Sequence, residues 1–253
     1  MLKIREEQMT TFRAAAFRRF EDSMVEHVKE FFPNHCRIAG EPIVRNVIQY
    51  GIERSQTYDF TTERNMCLYI TVMFMLGSNF DADFFFPWAS EILKDKSEAD
   101  PSLRADKLAD TALGFMKRIA GENNADINRA FLTLRKEHTQ IISQATTGDF
   151  RTYTKDLLQR LFHRKYIALG DRTIDRLIDE GRKTGADYGI TSGNGQLLLT
   201  VLMFFLGSAC DRDPFLPWIK GILTDPTTED QSKKVKRLYE ESINYMEKWL
   251  AKP

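Results

Sequence analysis

The chain has 253 residues, 42% of them hydrophobic and 28% charged, which allows two ordinary domain cores and excludes a disordered composition. Its 36 basic residues are matched by 36 acidic ones, so it lacks the basic surplus expected of a protein that grips nucleic acid or an anionic membrane. The first residues hold no uninterrupted apolar run, the apolar stretch at 67–76 is too short to span a bilayer, and Cys36, Cys67 and Cys210 form no C-x-x-C pair. The expectation is a soluble, cytoplasmic protein with reduced thiols and no cofactor.

Residues 2–31 carry apolar side chains close to helical spacing, at Ile4, Met9, Phe12, Ala16, Phe20, Met24, Val25, Val28 and Phe31. They predict one long amphipathic helix that stops before Pro33. Glu41-Pro42 opens a second helix, with Ile43, Val44, Val47, Ile48 and Ile52 on its apolar face. Thr61 is the expected N-cap of a third helix over 62–76, and Thr191 repeats it. This third helix is apolar on nearly every side and should form a buried centre. Gly77 follows at once and is expected to close the helix in a left-handed conformation, as is Gly207. A short helix over 85–93 and a longer one over 103–120 complete the first part. The polar segment GENNAD, 121–126, reads as a linker. Thr146-Thr147-Gly148 should break the long helix of the second part. No period-two alternation predicts a strand anywhere.

One stretch is written twice. Residues 76–88 read LGSNFDADFFFPW and residues 206–218 read LGSACDRDPFLPW, with eight of thirteen positions identical. The same offset, without a gap, places Gly40 on Gly170, Gly51 on Gly181 and Tyr58 on Tyr188, and it extends to both ends of the chain. The expected architecture is therefore all-α: two homologous helical units from an ungapped tandem duplication, related by a pseudo-twofold axis. The first unit is 1–120, the linker region 121–130 and the second unit 131–253.

The repeated D-x-D, Asp81/Asp83 and Asp211/Asp213, admits two readings. Paired carboxylates could hold Ca²⁺ or Mg²⁺, but Asp in a loop more often bonds its own backbone two residues on and caps the next helix. The cap reading is preferred, since no EF-hand pattern accompanies the pair. Trp88 and Trp218, with Phe85 and Phe215 beside them, are candidate partner-binding residues; the competing reading packs the short helix onto the core. Catalysis finds little support. The histidines His27, His35, His138 and His163 are not matched by histidines at the repeat offset, and no hydrolase, zinc-protease or phosphate-loop motif occurs. Cys36 beside His35 is the closest approach to a nucleophile and base. The glycine-rich stretch 185–195 could cradle an anion at a helix N-terminus or form a plain loop.

The segments RFEDSMVEH (19–27) and FFP (31–33), then GIER…Tyr58, and L-G-S-x-x-D-x-D…P-W resemble a family of small bacterial proteins often encoded beside type VI secretion spike and effector genes. Residues 1–120 match its single-unit pattern; in the second part GDFRTYTKD (148–156) replaces RFED…MVEH, and the likeness rests on the LGS-to-PW core. The resemblance implies a cytosolic role near secreted toxins, as an adaptor or chaperone for an effector or spike component. A binding role without catalysis is expected because the residues shared by the two halves are helix-cap, glycine and core types, with no titratable cluster repeated beside a catalytic partner. The alternative is an immunity protein that occludes a toxin acting in the cytosol, and an enzyme with an unrecognised site comes third.

Overall fold

The structure is a computed structural model that describes residues 6–143, 149–228 and 230–251. Among the described residues it holds thirteen α-helices and no strand. In the first part they are α1 (Glu6–Phe31), α2 (Pro33–Ala39), α3 (Glu41–Gln56), α4 (Glu63–Leu76), α5 (Pro87–Leu93) and α6 (Pro101–Ala120). A single 3₁₀ turn, Glu122–Asn124, leads into α7 (Ala125–Ser143). There follow α8 (Phe150–Leu161), α9 (His163–Leu169), α10 (Asp171–Asp187), α11 (Gly193–Leu206), α12 (Pro217–Leu223) and α13 (Gln231–Leu250). The predicted break at Thr146-Thr147-Gly148 lies outside the described residues.

The two most apolar helices sit at the centre, as their composition demands. In α4, Tyr69, Ile70, Val72 and Met73 are buried, and in α11 every residue from 197 to 204 is. α4 packs between α3 and α6, while α11 packs between α10, α7 and α13. The closest crossings run over glycine. A Cβ on Gly51 would stand 2.8 Å from the Ile70 and Met73 side chains, and one on Gly181 would stand 3.1 Å from the Thr200 backbone and closer still to its hydroxyl. α6 meets α9 and α2 meets α13, so the two parts of the chain close on each other around one continuous core.

Several local expectations shift by a residue or change in kind. α2 is an addition to the expected helices: PNHCRIA has no capping residue and too few apolar positions to show a period. It forms because Pro33 fixes the first helical φ and Phe32 lends its carbonyl to Cys36. The N-cap of α4 is Thr62 and not Thr61, its hydroxyl accepting from the Asn65 amide at 3.3 Å. Thr191 does not cap α11 either. Ser192 holds that position without a side-chain bond, and the amides of Thr191 and Ser192 both donate to Gln231 Oε1 at 3.0 and 3.1 Å. That carboxamide occupies donors that an anion would need. Gly77 and Gly207 do take positive φ, 104° and 107°, but with ψ near 150° they turn the chain into an extended path and not into left-handed helix.

Candidate functional site

The LGS-x-x-D-x-D motif acquires its meaning where the two parts of the chain meet. The extended exit at Gly77 turns Ser78 toward the second part, and Gly207 turns Ser208 toward the first. Asp83 Oδ2 accepts from the Ser208 amide at 2.9 Å, and its Oδ1 accepts from the Ser208 hydroxyl at 2.7 Å. Asp213 does the same to Ser78, amide at 2.9 Å and hydroxyl at 2.7 Å, through the same pair of oxygens. Each carboxylate also accepts from the amide two residues on, Phe85 or Phe215, at 2.9 Å. All four side chains are buried. Burial raises both carboxyl pKa values, with the serine and backbone donors pulling the other way. A Cβ on Gly77 would sit 3.4 Å from Asp213 Oδ2 and one on Gly207 3.7 Å from Asp83 Oδ2, ordinary contact distances, so the positive φ and not lack of space calls for glycine there.

This corrects the cap assignment. The local bond to residue i+2 forms as expected, but Asp83 and Asp213 do not cap the short helices. Phe86 and Leu216 occupy those N-cap positions and make no side-chain bond. The first aspartates differ again. Asp81 Oδ2 gathers Arg54 Nε at 2.6 Å, the Tyr58 hydroxyl at 2.7 Å and the Tyr69 hydroxyl at 3.0 Å. Asp211 receives the Tyr188 hydroxyl at 3.1 Å, with the exposed Arg212 guanidinium 3.7 Å from its other oxygen. Among the described residues no group of three or more His, Cys, Asp or Glu is placed to hold a metal ion.

Beside this clasp the two parts enclose a groove of about 700 Å³, within the range of small-molecule sites. Its walls are mainly apolar, including Phe74, Met116, Phe205 and Trp249. Three basic side chains line it, His27 on α1, His35 on α2 and Lys165 on α9, and the last two occupy corresponding positions at the repeat offset. His35 has ring contacts with Phe74 at 6.2 Å and Phe215 at 6.0 Å. Lys165 Nζ lies 5.6 Å over Phe204 and 5.6 Å over Phe85, the matching residues of the opposite parts. Desolvation pushes the His35 pKa down to about 4, so the ring is neutral at pH 7. It also pushes the Lys165 pKa down from 10.5 to about 8, against the attraction of Asp83, and leaves the ammonium mostly protonated.

Of the candidates that the sequence suggests, Phe215 joins the groove wall, while Phe85 is buried under Lys165. Trp88 and Trp218 are partly buried on the short helices, against Phe86 at 5.9 Å and Tyr245 at 6.2 Å. The third tryptophan carries no signal in the sequence. Trp249 packs edge-on to His35 at 4.9 Å and stacks on Phe131 at 5.4 Å, though nothing in the PW repeat points to it. Burial raises the Cys36 thiol pKa, which disfavours the thiolate a nucleophile needs. Among the described residues no helix is long and apolar enough to cross a membrane. No protein-family model, curated protein or solved structure matches the chain.

Proposed function

We propose that the protein is a non-catalytic binding module, an adaptor or chaperone that holds a secreted effector or spike component. The observation that carries this is the groove at the junction and its apolar rim, where Phe31 is 59% exposed. A large exposed aromatic beside an apolar cleft marks a surface that another molecule covers. The link to type VI secretion rests on the resemblance of residues 19–33, 51–58 and the LGS-to-PW core. The architecture behind it is a tandem duplication with pseudo-twofold symmetry. Supporting that reading, five helices of the second part (α9 to α13) begin at the repeat offset from α2 to α6, and the two Asp–Ser contacts are reciprocal.

The test is co-expression with the effector and spike proteins encoded beside the gene. Size-exclusion chromatography should show a stoichiometric complex with one of them, lost on Phe31→Glu. No complex with any of them would overturn the adaptor reading.

A further inference from the structure

Burying an ammonium without an opposite charge is costly, and Lys165 is 8% exposed. Among the described residues no carboxylate lies within hydrogen-bonded ion-pair distance of its Nζ, and its one hydrogen bond is a long one, 3.5 Å to the Phe205 carbonyl. Asp83 attracts it from further off, but the oxygens of Asp83 already accept from Ser208 and Phe85. Two faces of aromatic rings, Phe85 and Phe204, complete the surroundings. Lysine is not needed for packing at this place, because the matching residue of the first part is the neutral His35. Lys165 is thus a buried ammonium with donor capacity to spare, in apolar walls that Phe86, Phe115, Met116, Ile119 and Phe162 extend. The carboxylate in the lining, Asp213, is taken by Ser78 and Phe215.

We propose that the interior of the groove binds a linear aliphatic monocarboxylate, a fatty acid, with its carboxylate on Lys165 and its chain along the apolar wall. A carboxylate supplies the charge and the acceptors the ammonium lacks, and the chain replaces water on phenylalanine, methionine and isoleucine surface. The groups packed on the ammonium, Phe85 and Phe204, bring no second cation to it, which suits a single negative charge better than a dianionic phosphate. This site lies beneath the rim assigned above to a protein partner, and it stands or falls independently of that partner.

The probe is dodecanoate, titrated calorimetrically into the full chain at pH 7, with the fluorescence of Trp249 as a second signal. One saturating equivalent per chain is expected. Lys165→Met should weaken it by about tenfold or more, the scale of a lost charge-assisted hydrogen bond, and Lys165→Arg should recover part of the loss. 1-Dodecanol should bind more weakly than dodecanoate to the native chain and equally well to Lys165→Met. Met116→Trp, which fills the groove with an indole and leaves the lysine in place, should abolish both. Should Lys165→Met fail to fold, the native chain still decides, because dodecanoate affinity must fall as pH rises through about 8 while 1-dodecanol affinity does not. Equal binding of acid and alcohol, an unchanged affinity in Lys165→Met, or no binding of dodecanoate at all would overturn the proposal. None of these results bears on co-purification with a protein partner.

Discussion

The two parts of the chain agree at the Asp–Ser clasp between them and differ at several polar contacts that each makes within itself. At the junction the pairs Asp83–Ser208 and Asp213–Ser78 are alike to the atom, down to which oxygen takes the amide and which the hydroxyl. On the outer face between α1 and α3, Arg45 donates to Glu21 at 3.0 Å, and Gln49 donates to the same carboxylate at 3.0 Å. At the matching place between α8 and α10, Arg151 donates to Asp175 at 2.9 Å and also to Asp179. The acid and the base have exchanged helices. Asp81 and Asp211 differ in a third manner: at the 130-residue offset Thr184 and Leu199 stand where the first part has Arg54 and Tyr69, and the cation near Asp211 is the adjacent Arg212. An ion pair confined to one part can be inverted by two changes that compensate each other.

The sharpest way to break this pattern is at the clasp. Asp83→Ala or Asp213→Ala leaves three buried donors without an acceptor and should each cost about 3–5 kcal/mol in a denaturant melt. The two single variants should cost nearly the same, because the two environments do. A double-mutant cycle of Asp83→Ala with Ser208→Ala should show strong coupling. If Asp83→Ala shifts the midpoint no more than a surface substitution, the reciprocal contact does not hold the two parts together.

Next in size, and opposite in sign, is Lys165. Its folded pKa is depressed, so its favourable contribution is complete only above pH 10.5 and is lost as pH falls through about 8. Lys165→Met should therefore stabilise the chain at pH 7 by about 2–3 kcal/mol, and the gap between variant and native protein should close from pH 8 toward 10.5. His35 follows the same rule at lower pH: its contribution is present above pH 6.5 and is lost as pH falls through about 4. His35→Phe should remove that part of the acid destabilisation. Melts of the variants and the native chain across these two windows check both signs.

Smaller effects should separate the two glycine crossings. Alanine at position 181 meets the Thr200 backbone, which cannot step aside, whereas at position 51 it meets the ends of the Ile70 and Met73 side chains. Gly181→Ala should cost about 1–3 kcal/mol. Gly51→Ala should cost less, because rotamer changes relieve the contact and alanine favours the helix. Equal midpoints for the two variants would contradict this distinction. The smallest change is expected at the exchanged ion pair. Arg151→Glu should shift the melting midpoint only slightly, and Arg151→Glu with Asp175→Arg should return most of that shift. A full return measures how freely the pair can be inverted, since exposed pairs contribute little and are screened by salt.

The helices are largely legible in the sequence because their signals are local. The all-round apolar runs mark α4 and α11 as central, and Pro42 marks the start of α3. α2 escapes because seven residues opened by a proline carry no readable period. The motif glycines and aspartates are legible as special positions, but their role is not. A carboxylate bonded across more than 100 residues leaves the same trace in a sequence as one bonded two residues on, and here each does both. The groove does leave a trace, though a faint one. His35 has no histidine partner at the repeat offset, yet it has a basic one in Lys165, and the phenylalanines around the two also correspond. Trp249 leaves no such trace, since its matching residue is Ile119.

The clasp has a consequence for a chain cut at the 3₁₀ turn. Each part supplies one glycine–serine turn and one aspartate, and each needs what the other supplies, so the contact is isologous in form although it lies within one polypeptide. A piece ending near residue 120 would carry a Ser78 and an Asp83 without the partners that the second part supplies. Joining the two in one chain raises their effective concentration and removes the dependence of the contact on how much protein is present. It also lets the two sides of the groove carry different side chains, an imidazole on one and an ammonium on the other. A self-paired single unit would place the same side chain on both.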